Sequence, residues 1–163
     1  CDEGFAQVFN PGLPDRGVSL NFPNFNVAEN RGKSTFLEPA FAGAISCGGC
    51  HRPPTFALAL EAKSNGLDEG ETTVFKAPSL KSIALDGAFM HDGRFSTLEE
   101  VVEHYNSQVK LGPATDNGLI DPGTGQPQQL GLSEQEKSNL VLFLHTLTDE
   151  EILEDEKFAN TFK

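Results

Sequence analysis

The chain has 163 residues and carries 12 Lys and Arg against 24 Asp and Glu, a formal net charge of −12. This length suits one domain with a single core, and the acid excess argues against nucleic acid or an anionic membrane as partner, because both carry the same sign of charge. Tyr and Met each occur once and Cys three times. Any chemistry that needs these side chains therefore has few candidates.

Residues 1–30 are rich in Gly, Pro and Asn, and they predict an arm or linker ahead of one domain over 31–163. Cys1 is either the lipid-carrying first residue of a mature lipoprotein, which would anchor the domain to a membrane, or only the point where the chain begins. A short helix is predicted over residues 31–39, with Phe36 and Leu37 facing the core.

The run Cys47-Gly48-Gly49-Cys50-His51 has the C-x-x-C-H spacing that attaches haem c. Each thiol adds across one vinyl group of the haem, and His51 presents a ring nitrogen to the iron. The alternatives are a zinc site, which needs more ligands at metal spacing, and a redox pair, which usually follows a strand rich in Val and Ile. The motif predicts one haem, bound covalently through Cys47 and Cys50. It also predicts export, periplasmic or otherwise, because haem c is attached outside the cytoplasm.

After the haem motif, residues 52–75 have the composition of a loop, in which Pro53 and Pro54 stiffen the chain and a carbonyl can accept the His51 Nδ1 proton. Helix signals return with two predicted capping boxes, Ser96-Thr97-Leu98-Glu99 and Ser133-Glu134-Gln135-Glu136. Apolar residues follow each box at helical spacing, and a short last helix is predicted from Thr148. Together these signals predict an all-α, cytochrome c-like fold of helices and long loops around one haem. The predicted stripes are Leu98, Val101, Val102 and Tyr105, then Leu140, Phe143, Leu144 and Leu147.

Two stretches of the chain, residues 74–85 (VFKAPSLKSIAL) and 89–106 (FMHDGRFSTLEEVVEHYN), carry a specific resemblance. They closely resemble the C-terminal haem domain of bacterial di-haem cytochrome c peroxidases, a superfamily that includes the methylamine-utilisation di-haem enzyme. Residues 132–148 are similar to the family's closing helix, and the likeness runs from about Arg31 to Phe162. In that family the N-terminal haem domain reduces peroxide, and the C-terminal domain is the higher-potential electron-transfer centre.

The sequence departs from this family pattern at three points. It has one C-x-x-C-H motif where the family normally has two, and it has no Trp to stand between two haems. Asp86-Gly87-Ala88-Phe89 stands where the family has Thr-Ala-Pro-Tyr, so the family's calcium site between domains is not carried over. The chain is then either a piece of a longer enzyme or a single-haem relative that acts as an electron carrier.

The sixth iron ligand has two main candidates. Tyr105 stands 14 residues after His91, where the resemblance implies the distal ligand, which is Met in many peroxidases and Tyr in the methylamine-utilisation branch. Met90 is the only methionine and would give the His/Met pair common in one-electron carriers. We rank Tyr105 first and leave an open or His104-ligated iron as the third alternative, although His104 is predicted to face solvent.

Basic side chains near the haem motif are candidates for binding the haem propionates. His91 is expected to hydrogen-bond a propionate or the loop backbone, because the resemblance places it beside the iron ligands rather than among them. Arg94, Lys76 and Lys81 are candidates for pairing with the two carboxylates.

The predicted function is that of an exported single-haem cytochrome domain that carries electrons between redox partners. The alternative is a peroxide-reducing enzyme or a fragment of one, so sequence leaves the question of catalysis open. The partner is predicted to be a redox protein or a linked secreted enzyme. The acidic run at residues 149–156 is a candidate docking surface for a basic partner.

Overall fold

The computed structural model describes residues 20–40, 45–53, 55–58, 63–75, 78–150 and 155. Regular structure in these residues is mostly helical, with one antiparallel pair of two-residue strands and three isolated bridges. Among the described helices, none combines the length and apolar character that crossing a membrane requires. The elements are α1 (Val27–Leu37), α2 (Cys47–Cys50), β1 (His51–Arg52), β2 (Ala57–Leu58), α3 (Leu98–Glu103), a π-helical segment (His104–Gln108) and α4 (Glu134–His145), with 3₁₀ turns at Ile83–Leu85 and Asn117–Leu119.

Helix α1 begins four residues earlier than predicted, because Asn26 and Glu29 form a capping box. The Asn26 side chain accepts from the Glu29 amide at 2.9 Å, and the Glu29 carboxylate accepts from the Asn26 amide at 2.8 Å. Residues 1–19 of the predicted arm, with Cys1, lie outside the described residues. Phe22 from the same stretch is buried in the core, where its backbone amide donates to the Asn30 side chain at 2.7 Å.

Helices α1 and α4 pack directly against each other at Gly32. A Cβ atom at Gly32 would lie 1.9 Å from the carbonyl oxygen of Asn139 and 2.9 Å from the Cβ of Phe143. Phe143 is completely buried at the centre of this interface. The two helices can lie this close only because residue 32 has no side chain. Their close packing allows a cluster of edge-to-face and tilted aromatic rings to form around Phe143. The other rings of that cluster are Phe22, Phe25, Phe36 and Phe56.

The capping box of α3 lies one residue later than predicted. Thr97 is the N-cap: its hydroxyl accepts from the Glu100 amide at 3.2 Å, while the Glu100 carboxylate accepts from the Thr97 amide at 3.1 Å. The same carboxylate also accepts from the Ser96 amide at 2.7 Å, so Ser96 participates without being the cap. Leu98 and Val102 are buried as predicted.

The capping box of α4 is confirmed at Ser133 and Glu136. Its predicted stripe is confirmed too, since Leu140, Phe143 and Leu144 are buried and Leu147 packs against the core. The predicted last helix and acidic run lie mostly outside the described residues, because residues 151–154 and 156–163 are not described.

We expect Ser133→Ala to destabilise the full chain by about 1 kcal/mol, the usual cost of losing an N-cap. Hydrogen bonds from the Ser133 side chain and amide lower the pKa of Glu136 below its ordinary 4.5. Because the folded pKa is the lower one, this support is present above pH 4.5 and is lost as pH falls through the folded value. Urea unfolding at several pH values measures both effects.

The matched control is Ser138→Ala, an exposed serine inside the same helix, which should leave stability within about 0.5 kcal/mol of the wild type. Equal losses for the two variants would contradict a specific capping role for Ser133.

Candidate haem site

The C-x-x-C-H motif forms the single helical turn α2, which is held against its neighbours at both glycines. The Ser46 side chain caps the turn by accepting from the Gly49 amide at 3.2 Å. A Cβ at Gly49 would lie 2.7 Å from Ile45 Cγ1, and one at Gly48 would lie 3.0 Å from Leu37 Cδ2. The two residues between the cysteines therefore have to be small for the turn to pack on α1 and the preceding segment.

The two cysteines of this turn are free thiols and are half-buried. Burial raises the pKa of Cys47 to about 11 and also raises the pKa of Cys50, where Asp116 adds to the effect. Both thiols are therefore protonated at neutral pH.

His51 follows the second cysteine and begins strand β1. Burial lowers the pKa of its ring, which outweighs the opposing effect of the Phe56 backbone, so the imidazole is neutral near pH 7. Neutral imidazole is the form that binds metal. Its Nδ1 atom is buried and makes no hydrogen bond of normal geometry within the described residues. Pro54, near the predicted acceptor carbonyl, lies outside them.

Tyr105 lies in the π-helical segment that continues α3. Burial raises the pKa of its hydroxyl; with the opposing effect of the Asn65 side chain and the smaller contribution of the nearby Cys47 and Cys50, the pKa is about 12. A π-helical turn is rare and occurs frequently at functional sites, where it changes the direction of the side chains it carries. The fold thus brings the only tyrosine to the two thiols of the haem motif.

Met90, the other candidate ligand, lies in a turn closed by a bridge between Phe89 and Phe95, whose amide-to-carbonyl distance is 2.9 Å. The backbone of Met90 has φ of +72°, a left-handed conformation that side chains of this size rarely adopt. Its sulfur accepts a hydrogen bond from Asn65 Nδ2 at 3.0 Å.

Asn65 contacts Met90 and His104, and the sequence reasoning passed over it as part of the loop at residues 52–75. The detectable signal is the Asn65-Gly66 pair, a dipeptide typical of tight turns. Gly66 has φ of +64°, and a Cβ there would lie 2.6 Å from the Lys110 carbonyl oxygen. That this turn brings the Asn65 side chain to Met90 is visible only in three dimensions.

The prediction that His104 faces solvent is wrong. The residue is 2 % exposed, and its Nε2 lies 3.0 Å from the Asn65 carbonyl oxygen, to which it donates because a carbonyl only accepts. Its ring meets Tyr105 edge-to-face, with centroids 5.1 Å apart. The π-helical turn directs two consecutive side chains, His104 and Tyr105, toward the same loop.

His91 and Arg94, two of the propionate candidates, lie at the surface with other partners. The ring of His91 stacks on Phe75 with centroids 3.7 Å apart. Arg94 makes a two-pronged ion pair with Asp68, 2.9 Å for each contact, and a further contact of 2.7 Å with Asp92. The carboxylates of Asp68 and Asp92 balance the positive charge of Arg94, as haem propionates would.

The two lysine candidates give less structural information. Lys81 is exposed, and its backbone amide donates to the Ser79 hydroxyl at 3.3 Å. Lys76 lies outside the described residues.

The donor set around α2 fits haem c. Two free protonated thiols are available for the vinyl groups, and a neutral buried imidazole with an unpartnered ring nitrogen lies directly beside them. The phenol of Tyr105, near both thiols, adds a second possible iron ligand.

A protein-family comparison decides the assignment. The model of the family described as di-haem cytochrome c peroxidase matches residues 29–121, more than half of the 163-residue chain. The chain belongs to the di-haem cytochrome c peroxidase family. The resemblance drawn from residues 74–106 is thereby confirmed, and because family members are haem c proteins, it supports haem as the cofactor.

Individual relatives agree with the family assignment. The chain is 30% identical over 125 residues to the methylamine utilization protein MauG of Methylorubrum extorquens, covering 68% of this chain and 33% of the relative. It is 30% identical over 148 residues to the cytochrome-c peroxidase IdrP2 of Denitromonas iodatirespirans, and the match covers 89% of this chain and 33% of that relative. It therefore spans about a third of the length of these curated relatives.

A solved structure shares the fold. The crystal structure of a MauG-like protein associated with microbial copper homeostasis superposes with a TM-score of 0.63 at 28% sequence identity, covering 85% of this chain and 49% of that one. The mostly helical architecture is therefore shared with that MauG-like protein.

Proposed function

We propose that this chain is an exported c-type cytochrome domain with an all-α, cytochrome c-like fold that carries single electrons between redox partners. One haem is attached through Cys47 and Cys50, His51 is the proximal ligand and Tyr105 the distal one. The observation that carries the proposal is the position of the Tyr105 hydroxyl, buried near both thiols of the attachment motif. A filled sixth position favours electron transfer over catalysis at the iron, because peroxide needs an open site.

The haem, when bound, supplies an iron that alternates between the ferric and ferrous states. The neutral His51 ring and the Tyr105 oxygen would hold this iron, and an oxygen ligand would favour its ferric state and lower the potential. Tyr105 would have to lose its phenol proton to serve as that ligand, and burial opposes this loss, since the pKa of Tyr105 is raised to about 12.

The partners are proposed to be a redox protein or a linked secreted enzyme, in a periplasmic or otherwise exported location. The relatives' names, methylamine utilization protein and cytochrome-c peroxidase, are compatible with an electron-transfer module inside larger haem enzymes. Membrane attachment through Cys1 is a separate proposal and depends on lipidation of that residue.

The assignment of the distal ligand is tested by the ferric spectra of haem-loaded Tyr105→Phe and Met90→Leu. We expect Tyr105→Phe to change the spectrum, because it removes the phenolate, and Met90→Leu to leave it as in the wild type. A methionine–iron charge-transfer band that disappears only in Met90→Leu would make Met90 the ligand instead.

Peroxide reduction is the second candidate function, and the match to cytochrome-c peroxidase IdrP2 is the observation in its favour. The same haem-loaded wild-type chain separates the two functions when it is mixed with hydrogen peroxide and an electron donor. Slow turnover supports the electron carrier, and rapid turnover without a second haem protein supports the peroxidase.

A further inference from the structure

We propose that Asp68, Glu71 and His91 form a binding site for a divalent transition-metal ion of the zinc type. The ion would join the loop at residues 64–71 to the turn at residues 89–95. The site takes no ligand from the C-x-x-C-H motif, so it goes beyond the proposed function and does not depend on the haem.

The three side chains come from two separate stretches of the chain and meet in the folded structure. One carboxylate oxygen of Asp68, one of Glu71 and one ring nitrogen of His91 all lie within 4.8 Å of one another. Zinc ligands about 2.1 Å from the ion lie about 3.4 Å apart in tetrahedral geometry, so these atoms have to move by only about 1 Å to bind it. His91 is exposed, and water can therefore complete the coordination.

The backbone that carries the ligands is held in place by hydrogen bonds that do not involve the ligand atoms. The Glu71 carbonyl accepts from the Ala114 amide at 2.9 Å. The turn that carries His91 is closed by the Phe89 amide, which donates to the Phe95 carbonyl at 2.9 Å. Both stretches are therefore positioned before an ion arrives, which reduces the cost of ordering the site.

Each of the three ligand side chains is also oriented by a partner outside the site. Two nitrogens of the Arg94 guanidinium donate to the two Asp68 oxygens, at 2.9 Å each. The Glu71 carboxylate accepts from the hydroxyl of Ser64, which is buried, and the His91 ring is held by its aromatic stack. Partners of this kind commonly orient metal ligands, and a carboxylate oxygen that accepts one hydrogen bond keeps a lone pair for a metal.

The local charge and the donor types indicate which ion fits. Asp68, Glu71 and Asp92 bring three carboxylates, and Arg94, which contacts two of them, brings one positive charge. The excess of two negative charges is what a divalent cation neutralises. Calcium and magnesium prefer ligand sets made only of oxygen, whereas the imidazole of His91 suits zinc, copper or nickel.

The test is a calorimetric titration of the haem-loaded full chain, freed of metal by dialysis against a chelator, with zinc chloride and separately with calcium chloride. We expect one zinc ion to bind in this cluster, and calcium to bind at least about tenfold more weakly. His91→Phe keeps an aromatic ring for the stack and removes the nitrogen ligand, and Glu71→Gln keeps an acceptor for Ser64 and removes the charge. Each should weaken zinc binding at least about tenfold. Cys1 is present in every variant, so zinc bound there cancels in the comparison.

His145→Phe and Glu99→Gln, the same changes at exposed positions outside the cluster, are the matched controls and should keep the wild-type zinc affinity. Equal affinities for zinc and calcium, or a His91→Phe protein that binds zinc like the wild type, would overturn the site. A chain that takes up no covalent haem would refute the proposed function alone, and zinc titration of Cys47→Ala/Cys50→Ala would then test the metal site. Circular dichroism of each variant verifies that it is folded.

Discussion

We expect Cys47→Ala/Cys50→Ala to lose covalent haem completely when the chain is produced with export and haem-maturation machinery. Each thiol supplies one thioether bond, and no side chain other than cysteine can replace it. Intact mass should fall by one haem relative to the wild type, and the pyridine-haemochrome assay of the denatured protein should be negative. Each single variant keeps one thiol and can keep at most one thioether bond.

The matched control for this experiment is Cys1→Ala, which removes the third cysteine and leaves both motif thiols in place. It should retain the full haem mass. A double variant that still carries covalent haem would refute the attachment site, and a matured wild type without haem would refute the cofactor itself.

We expect Gly32→Ala to cost about 3 kcal/mol or more of folding free energy, at the upper end of what overpacking usually costs. The new Cβ would lie 1.9 Å from the Asn139 carbonyl oxygen, a backbone atom of α4 that cannot move without shifting the whole helix. The intrinsic gain from alanine in a helix, about 1 kcal/mol, is too small to compensate. Urea unfolding and thermal melting of the full chain measure the loss.

Gly87→Ala is the matched control for Gly32→Ala. No atom of the described structure lies within 4 Å of a Cβ built there, and Gly87 is not among the glycines with positive φ. Its stability should stay within about 0.5 kcal/mol of the wild type. A Gly32→Ala protein as stable as this control would show that the helices can separate at little cost.

Local patterns in the sequence were sufficient for the features that depend on neighbouring residues. The attachment motif lies on one capped turn, and the box at Ser133 begins α4, because capping is an interaction between residues three positions apart. The error at Ser96 and Thr97 has the same local origin: both residues can hydrogen-bond the Glu100 carboxylate, and the pattern does not say which of them is the cap.

Other features were beyond local patterns because they are contacts between distant segments. A π-helical turn has no reliable sequence signature, so the α-helical spacing left His104 in solvent. The buried position of His104 depends on the carbonyl of Asn65, which lies 39 residues away along the chain.

By itself, the sequence determined the haem motif, the main helices and the family, because spacing within a few residues specifies these features. It also gave two main candidates for the sixth iron ligand, Tyr105 by its place in the family resemblance and Met90 as the only methionine. Only the tertiary structure decided that Asn65 contacts both Met90 and His104, since a turn and a π-helical segment must fold together before three separate stretches of chain meet. Such contacts between distant segments exist only in the folded chain.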